Sequence, residues 1–264
     1  MAQYTDNQLE FWSVAEALAD AARTETLKYF RQHDLTADSK TSDFDPVTIA
    51  DRNAEAAMRD VLAERRPKDG ILGEEHGPKH SESGLTWVLD PIDGTRGFIS
   101  GTPTWGVLVA LSDDKGPFLG IVDQPYIGER FIGGLGRAEM TGPLGTRPLG
   151  VRKTTDLADA IIYTTFPEVG THADGEAFHR VAAQTRLTRY GCDCYAYALL
   201  AAGHVDLVIE AGLQPYDIQA PIAVIQAAGG IVTNWEGGPA HDGGRALAAA
   251  TPELHAAALK LLQP

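Results

Sequence analysis

Two hydrophobic periodicities divide the chain. From Thr5 onward the apolar positions Leu9, Trp12, Ala15, Ala19, Ala22 and Leu27 recur every three to five residues, close to the spacing of one helical face. Thr5 and Gln8 stand three apart at its start, as in a capping box, so the pattern predicts a long first helix. A second helix is predicted over Arg52 to Arg65, with Met58, Val61 and Leu62 turned inward and Pro67 beyond its end. Between them TADSKTSDFDP, residues 36–46, is polar and reads as a loop. From residue 71 the period shortens. Apolar runs at 71–73, 87–89, 106–111, 118–122 and 130–133 are separated by Gly, Pro and Asp, which predicts strands joined by turns in a largely antiparallel sheet. Beyond about Gly150 the character alternates, with strands at 161–165, 205–210 and 231–233 and helices near 175–184, 217–228 and after Pro252. The expectation is an α/β chain of two lobes, residues 1–145 and 146–264, sharing one interface.

The strands matter for what they carry at their ends. In W-V-L-D-P-I-D-G-T-R-G-F, residues 87–98, an apolar strand runs into Asp90, Pro91 blocks further pairing, and Asp93-Gly94 forces a tight turn. Two carboxylates three residues apart, with the Ile92 carbonyl between them, can converge on one point, and hard cations such as Mg²⁺ take oxygen ligands of this kind. D-x-x-D-G is equally a plain turn signature, and both readings stand here. Glu74 and Glu75 follow the apolar run 71–73. Adjacent acids after a buried strand repel unless a cation offsets them, while two solvated acids at a loop start give the same letters. Asp217 opens the helix predicted over 217–228, where Asp is also a favoured N-cap. His76 and His80 are four apart, but Gly77 and Pro78 lie between them, so they read as surface histidines rather than a zinc pair.

Charge narrows the partners. Thirty-six Asp and Glu against 22 Lys and Arg give a formal charge of −14 over 264 residues. Phosphate backbones and anionic membranes are held mainly by basic patches, so neither a nucleic acid nor a membrane is expected as a partner. No apolar run reaches the ~18–20 residues of a membrane helix, and MAQYTDNQLEFW lacks the basic start and apolar stretch of a signal peptide. Two cysteines, Cys192 and Cys194, are too few for a disulfide framework and lack the ligand count of a structural zinc site, which points to a reducing cytoplasm. G-x-S-x-G, G-x-x-x-x-G-K-[ST] and H-E-x-x-H are all absent from the sequence.

The motifs together carry a resemblance. D-P-V-T-I-A-D at 45–51, G-E-E at 73–75, D-P-I-D-G-T at 90–95, and Y-D-I-Q-A-P with A-A-G-G within 216–230 resemble the inositol monophosphatase family of Mg²⁺-dependent, lithium-sensitive phosphatases, in its order and spacing. D-G-T-R-G-F-I-S-G at 93–101 and R-Y-G-C-D-C-Y-A-Y at 189–197 are most similar to its histidinol-phosphate phosphatase branch. The resemblance implies a layered α/β/α/β/α sandwich, usually a homodimer, with the site between the lobes. It implies that Glu74, Asp90 and the Ile92 carbonyl bind one Mg²⁺ and that Asp90, Asp93 and Asp217 bind a second, Asp90 bridging, with a weaker third ion near Glu74. Thr95 and Glu74 would hold the attacking water, oriented by Asp45, and the Gly94 and Thr95 amides would meet the phosphate. Asp51 reads as a helix cap. A phosphate monoester is a dianion, so in a chain of this charge metal ions rather than basic side chains would have to hold it.

Two departures from the inositol-specific pattern bear on substrate. After D-G-T, inositol enzymes usually continue Thr-Asn-Phe, and here the chain has Arg96-Gly97-Phe98; where they have Gly-Thr-Ala, it has Gly191-Cys192-Asp193. Asp193 and Glu210 would face the alcohol part of the substrate, with Arg96 and Gly191 among the binding residues. Two carboxylates there suit a cation better than a polyol, and histidinol carries an ammonium and an imidazole. For Asp193 the plain alternative is a cap on a helix starting near Tyr195. Histidinol phosphate is therefore the expected substrate. Inositol monophosphate is the alternative; bisphosphate and nucleotide substrates are weaker, because Arg96 and Arg189 alone are placed to meet a second anion. A non-catalytic interaction protein is opposed by intact Glu74, Asp90, Asp93, Thr95 and Asp217.

Overall fold

The structure, a computed structural model, describes residues 5–32, 37–39 and 46–263. Its first half comprises helix α1 (Asp6–Tyr29), a ribbon of β1 (Ala37–Ser39) and β2 (Pro46–Thr48), helix α2 (Ile49–Arg65), strands β3 (Gly70–Gly73) and β4 (Thr86–Asp93), and a short helix α3 (Thr95–Ile99). Five strands follow: β5 (Gly106–Asp113), β6 (Gly116–Gln124), β7 (Glu129–Gly134), β8 (Arg137–Gly142) and β9 (Gly145–Pro148). The second half runs β10 (Ile161–Thr164), α4 (His172–Ala182), β11 (Leu187–Tyr190), α5 (Cys194–Ala201), β12 (Leu207–Leu213), α6 (Pro215–Ala227), β13 (Ile231–Thr233), β14 (Gly244–Ala249) and α7 (Pro252–Leu262).

Local chemistry sets the helix starts. The Thr5 hydroxyl accepts from the Gln8 N–H while the Gln8 side chain accepts from the Thr5 N–H at 2.9 Å, the expected capping box. Helix α2 begins at Ile49, three residues before the expected Arg52, because Thr48 and Asp51 form a second box there. The segment expected to be a loop contains the antiparallel ribbon β1–β2, with Ala37 opposite Thr48; residues 40–45 lie outside the described residues.

Strands β3 to β9 form a seven-stranded sheet in sequence order, antiparallel throughout except for the parallel β3–β4 pair. A second sheet of five strands has the order β11-β10-β12-β14-β13. Because side chains alternate across a strand, each sheet buries both faces. Trp87, Leu89, Val107, Val109 and Leu111 pack against α1 and α2, and Val88, Leu108 and Ala110 point the other way. That second face meets α5 and α6, which also receive Val208, Ala246 and Ala248 from the five-stranded sheet. Its remaining face, with Leu207, Ile209 and Leu247, is covered by α4 and α7. The layering is therefore α/β/α/β/α. The expected division at 145/146 falls inside β9, and the central core draws side chains from both sides of it.

Helix α6 lies against the large sheet where the sheet has no side chains: a Cβ at Gly120 or Gly133 would run into the α6 backbone at Ala220 or Val224. Among the described residues no helix is long and apolar enough to cross a membrane.

Candidate active site

Residues three apart on a regular strand point to opposite faces. Asp90 and Asp93 on β4 escape this by a bulge. Asp90 pairs with Leu108 and Asp93 with Gly106, so three steps along β4 match two along β5. Pro91, which has no N–H to pair, sits at the irregularity. Pairing thus resumes at Asp93, whereas the sequence pattern predicts its end at Pro91, and both carboxylates come to the same side. The Asp90 carboxylate accepts from the Ile92 N–H at 3.0 Å. Gly94 follows with φ +86°, a conformation that favours glycine, and turns the chain into α3. There the Thr95 hydroxyl donates to the Ile92 carbonyl at 3.1 Å.

Asp217 arrives from α6. It is the third residue of the helix rather than its N-cap, and its carboxylate accepts from the Gln214 N–H at 2.7 Å in a capping box. Oxygens of Asp90, Asp93 and Asp217 lie within 4.8 Å of one another. Glu74, just past β3, reaches Asp90 from another side, within hydrogen-bond range of its carboxyl. Burial, and then the charges of Glu74, Asp93 and Asp217, push the Asp90 carboxyl well above the usual carboxylate range. Asp93 is raised for the same reasons, by burial first and then by Asp193 and Asp217, although it accepts the Cys194 N–H at 2.6 Å.

These acids line one cleft of about 420 Å³ together with Ile92, Gly94, Thr95, Arg96, Asp193 and Glu210. Asp193 occupies the N-cap position of α5 but makes no capping hydrogen bond. It stands in a left-handed run, φ +89° at Gly191, +81° at Cys192 and +46° at Asp193, and its carboxylate packs beside Gly94. The capping alternative therefore fails. Burial raises Asp193 to about 6, opposed by the Arg96 guanidinium. Glu210, buried on β12, accepts from the Thr165 N–H and hydroxyl, both at 2.8 Å; its burial outweighs these bonds and raises it to about 7. The Arg96 guanidinium lies 4.9 Å over the Phe166 ring at the cleft wall. Gly191 does not line the cleft; its N–H bonds the Thr164 and Thr165 carbonyls.

Asp45 lies outside the described residues. Asp51 is a cap, as expected, but a half-used one. One oxygen accepts from the Thr48 N–H at 2.9 Å and hydroxyl at 2.6 Å, while Oδ1 is buried with no hydrogen-bond partner among the described residues. Burial raises Asp51 to about 6. Its neighbour Ala50 packs with Ile92, Phe98 and Trp105, which puts the start of α2 beside the cleft floor. The signal in the sequence was the repeated acid in D-P-V-T-I-A-D; capping explained the second acid too completely.

Residues 7–264 match the family model described as the inositol monophosphatase family. The chain belongs to the inositol monophosphatase family. It is 44% identical over 238 residues to the Bifunctional phosphatase IMPL2, chloroplastic, of Arabidopsis thaliana, covering 89% of this chain and 67% of that one. It is 36% identical over 241 residues to a histidinol-phosphatase of Mycobacterium tuberculosis, covering 89% and 91%. An inositol monophosphatase structure from Zymomonas mobilis superposes with a TM-score of 0.83 at 36% identity, covering 96% of this chain and 97% of that one. This phosphatase family uses divalent metal ions, and the donor set here fits one: acid oxygens from separate elements, held together against their mutual repulsion.

Proposed function

We propose that this chain is a Mg²⁺-dependent phosphomonoesterase that hydrolyses histidinol phosphate in histidine biosynthesis. The observation that carries the choice of alcohol is the pair Asp193 and Glu210, half-buried and buried respectively, which line the same cleft as the acid cluster. Burial makes both costly to ionise, at Asp193 despite the opposing Arg96 guanidinium and at Glu210 despite the hydrogen bonds from Thr165. An ammonium or imidazolium docked there offsets that cost, whereas a neutral polyol does not. The likeness to a histidinol-phosphatase supports the same reading.

In this reading Glu74, Asp90 and the Ile92 carbonyl hold one ion, and Asp90, Asp93 and Asp217 hold a second. Asp90 interacts with Glu74 as well as with Asp93 and Asp217, so it would be the ligand shared between the two ions, and a third ion would sit near Glu74. Bound Mg²⁺ supplies the positive charge that offsets a dianionic phosphate and lowers the pKa of water. The chain's own groups do the positioning. The Thr95 hydroxyl donates a hydrogen bond to the Ile92 carbonyl, leaving its oxygen to accept from the attacking water, which Glu74 would hold as well. The Gly94 and Thr95 N–H groups meet the phosphate, and Arg96 stands at its rim. Either Asp45 or Asp51 Oδ1, which has no hydrogen-bond partner among the described residues, orients the water; β2, which ends at Thr48, packs against α3, which begins at Thr95. Water attacks phosphorus, the bond to the alcohol oxygen breaks, and the alcohol leaves with a proton. No covalent phosphoenzyme is needed.

The same proposal takes the protein as a lithium-sensitive cytoplasmic homodimer, with the lobes 1–145 and 146–264 meeting at the cleft. Inositol 1-phosphate is the second reading, favoured by the likeness to the Zymomonas inositol monophosphatase. The test is a ratio: kcat/KM for histidinol phosphate over that for glycerol 2-phosphate, in wild type, Glu210→Gln and Asp193→Asn. Loss of one charge-assisted bond should lower the ratio by roughly ten- to a hundredfold, about 1.5–3 kcal/mol. An unchanged ratio in both variants removes the cationic subsite.

A further inference from the structure

Helix α2 has a polar stripe, buried at Asp51 and Glu55 and half-buried at Arg59, that core packing leaves unexplained. Asp51, Glu55 and Arg59 recur every four residues, on one face of the helix. Glu55 has no solvent exposure, yet helix interiors rarely bury an acid without a task for it. Its partners are the residues just after Glu74. Glu55 Oε2 accepts from the Glu75 N–H at 2.6 Å, and Oε1 accepts from the His76 N–H at 3.2 Å. Arg59, whose Nε donates to Glu55 Oε1 at 2.7 Å, sends its Nη2 to the carbonyls of His76 and Gly77 at 3.1 and 2.9 Å. On the other flank of Glu74, Gly73 pairs with Leu89 in the sheet. A Cβ at Gly73 would run into the Glu55 carboxylate, so the fit between helix and strand end is close.

We infer that Glu55 and Arg59 form a bracket that sets the position of Glu74. The backbone of residue 74 is held by sheet pairing before it and by the bracket after it, so its carboxylate is delivered to Asp90 at little entropic cost on metal binding. Two like-charged groups would otherwise drift apart, since nothing in a strand end or a surface loop opposes their repulsion. Glu55 touches neither substrate nor metal in this account. It is a positioning residue, and supports of this kind typically change metal affinity ten- to a hundredfold when removed. The inference rests on the proposed Mg²⁺ site.

The experiment titrates Mg²⁺ into the full-length protein by calorimetry and by melting temperature, and follows phosphate release as a second readout. Wild type, Glu55→Gln and Arg59→Ala are compared well below their melting temperatures. Glu55→Gln should raise the half-saturating Mg²⁺ concentration ten- to a hundredfold while kcat at saturating Mg²⁺ stays within about threefold of wild type. Arg59→Ala, which removes the carbonyl clasps and leaves Glu55 in place, should raise it several-fold; it also serves if Glu55→Gln does not fold. Both variants binding Mg²⁺ as wild type does, with only their melting temperatures lowered, would make the bracket merely structural and overturn the inference. A wild type that neither binds Mg²⁺ nor depends on it would instead overturn the proposed metal site itself.

Discussion

Asp90 is where the repulsion concentrates, with Glu74, Asp93 and Asp217 all raising its carboxyl. Asp90→Asn keeps an acceptor for the Ile92 N–H, so the fold should survive. It should lower kcat/KM at least a hundredfold, about 2.7 kcal/mol, yet melt at or above wild type in chelator near pH 8, because one of the clustered charges is gone. Retention of more than a tenth of wild-type kcat/KM would deny Asp90 its bridging part. Glu210 makes a separate prediction from pH. Its folded value of about 7 lies above the ordinary 4.5, so the folded state keeps a proton that the unfolded chain releases. Stability therefore falls as pH rises from about 4.5 to about 7, and above that the cost is complete, on the order of 3 kcal/mol. Glu210→Gln escapes this cost. In metal-free denaturant titrations it should be more stable than wild type at pH 8 and gain nothing at pH 4; an equal gain at both would assign the effect to packing. At this scale the sequence was most legible where acids ended apolar runs. It was least legible at Asp51, where a good cap hid a buried oxygen with no hydrogen-bond partner among the described residues, and at Glu55, whose backbone partners lie some twenty residues away.

Elements were legible where their burial leaves a distinct mark on the sequence. Helix α1 shows a helical period because one face meets the core, and strands β4 to β6, buried on both faces, read as continuous apolar runs. Helix α5, C-Y-A-Y-A-L-L-A, lies between two sheets and is apolar nearly all round, so no period marks it. Strand β9 is exposed at every residue and β11 at three of four, so neither shows apolar alternation. The bulge at Pro91 reads as the end of pairing when only the missing N–H is considered. Helix α1 is fixed to the sheet by a polar contact that periodicity does not show. Asp123, fully buried on β6, takes two hydrogen bonds from Arg23 at 2.6 and 3.0 Å and one from Arg130 at 2.7 Å. Asp123→Ala leaves two guanidinium groups without their shared carboxylate, and the cost should be about 3–5 kcal/mol by denaturant midpoint. A loss below about 1 kcal/mol would mean that apolar packing alone holds α1 in place.

For the whole molecule, the five layers bring acids from β4 in the large sheet and from α6 in the central layer to one cleft, which Asp193 and Glu210 also line. A net charge of −14 would repel a phosphate ester unless this cluster is occupied by cations. In the proposed function the same negative cleft favours an alcohol that is itself cationic. Fold and acid cluster follow from the motifs and their order; the proposed preference for one alcohol depends on two side chains whose convergence the sequence does not display. The most direct measurement is kcat/KM of the wild-type protein in Mg²⁺ for histidinol phosphate and for inositol 1-phosphate, read as phosphate release. The account predicts that histidinol phosphate is favoured by at least tenfold and that chelation abolishes both activities. A preference for inositol 1-phosphate, or hydrolysis that persists in chelator, would contradict it.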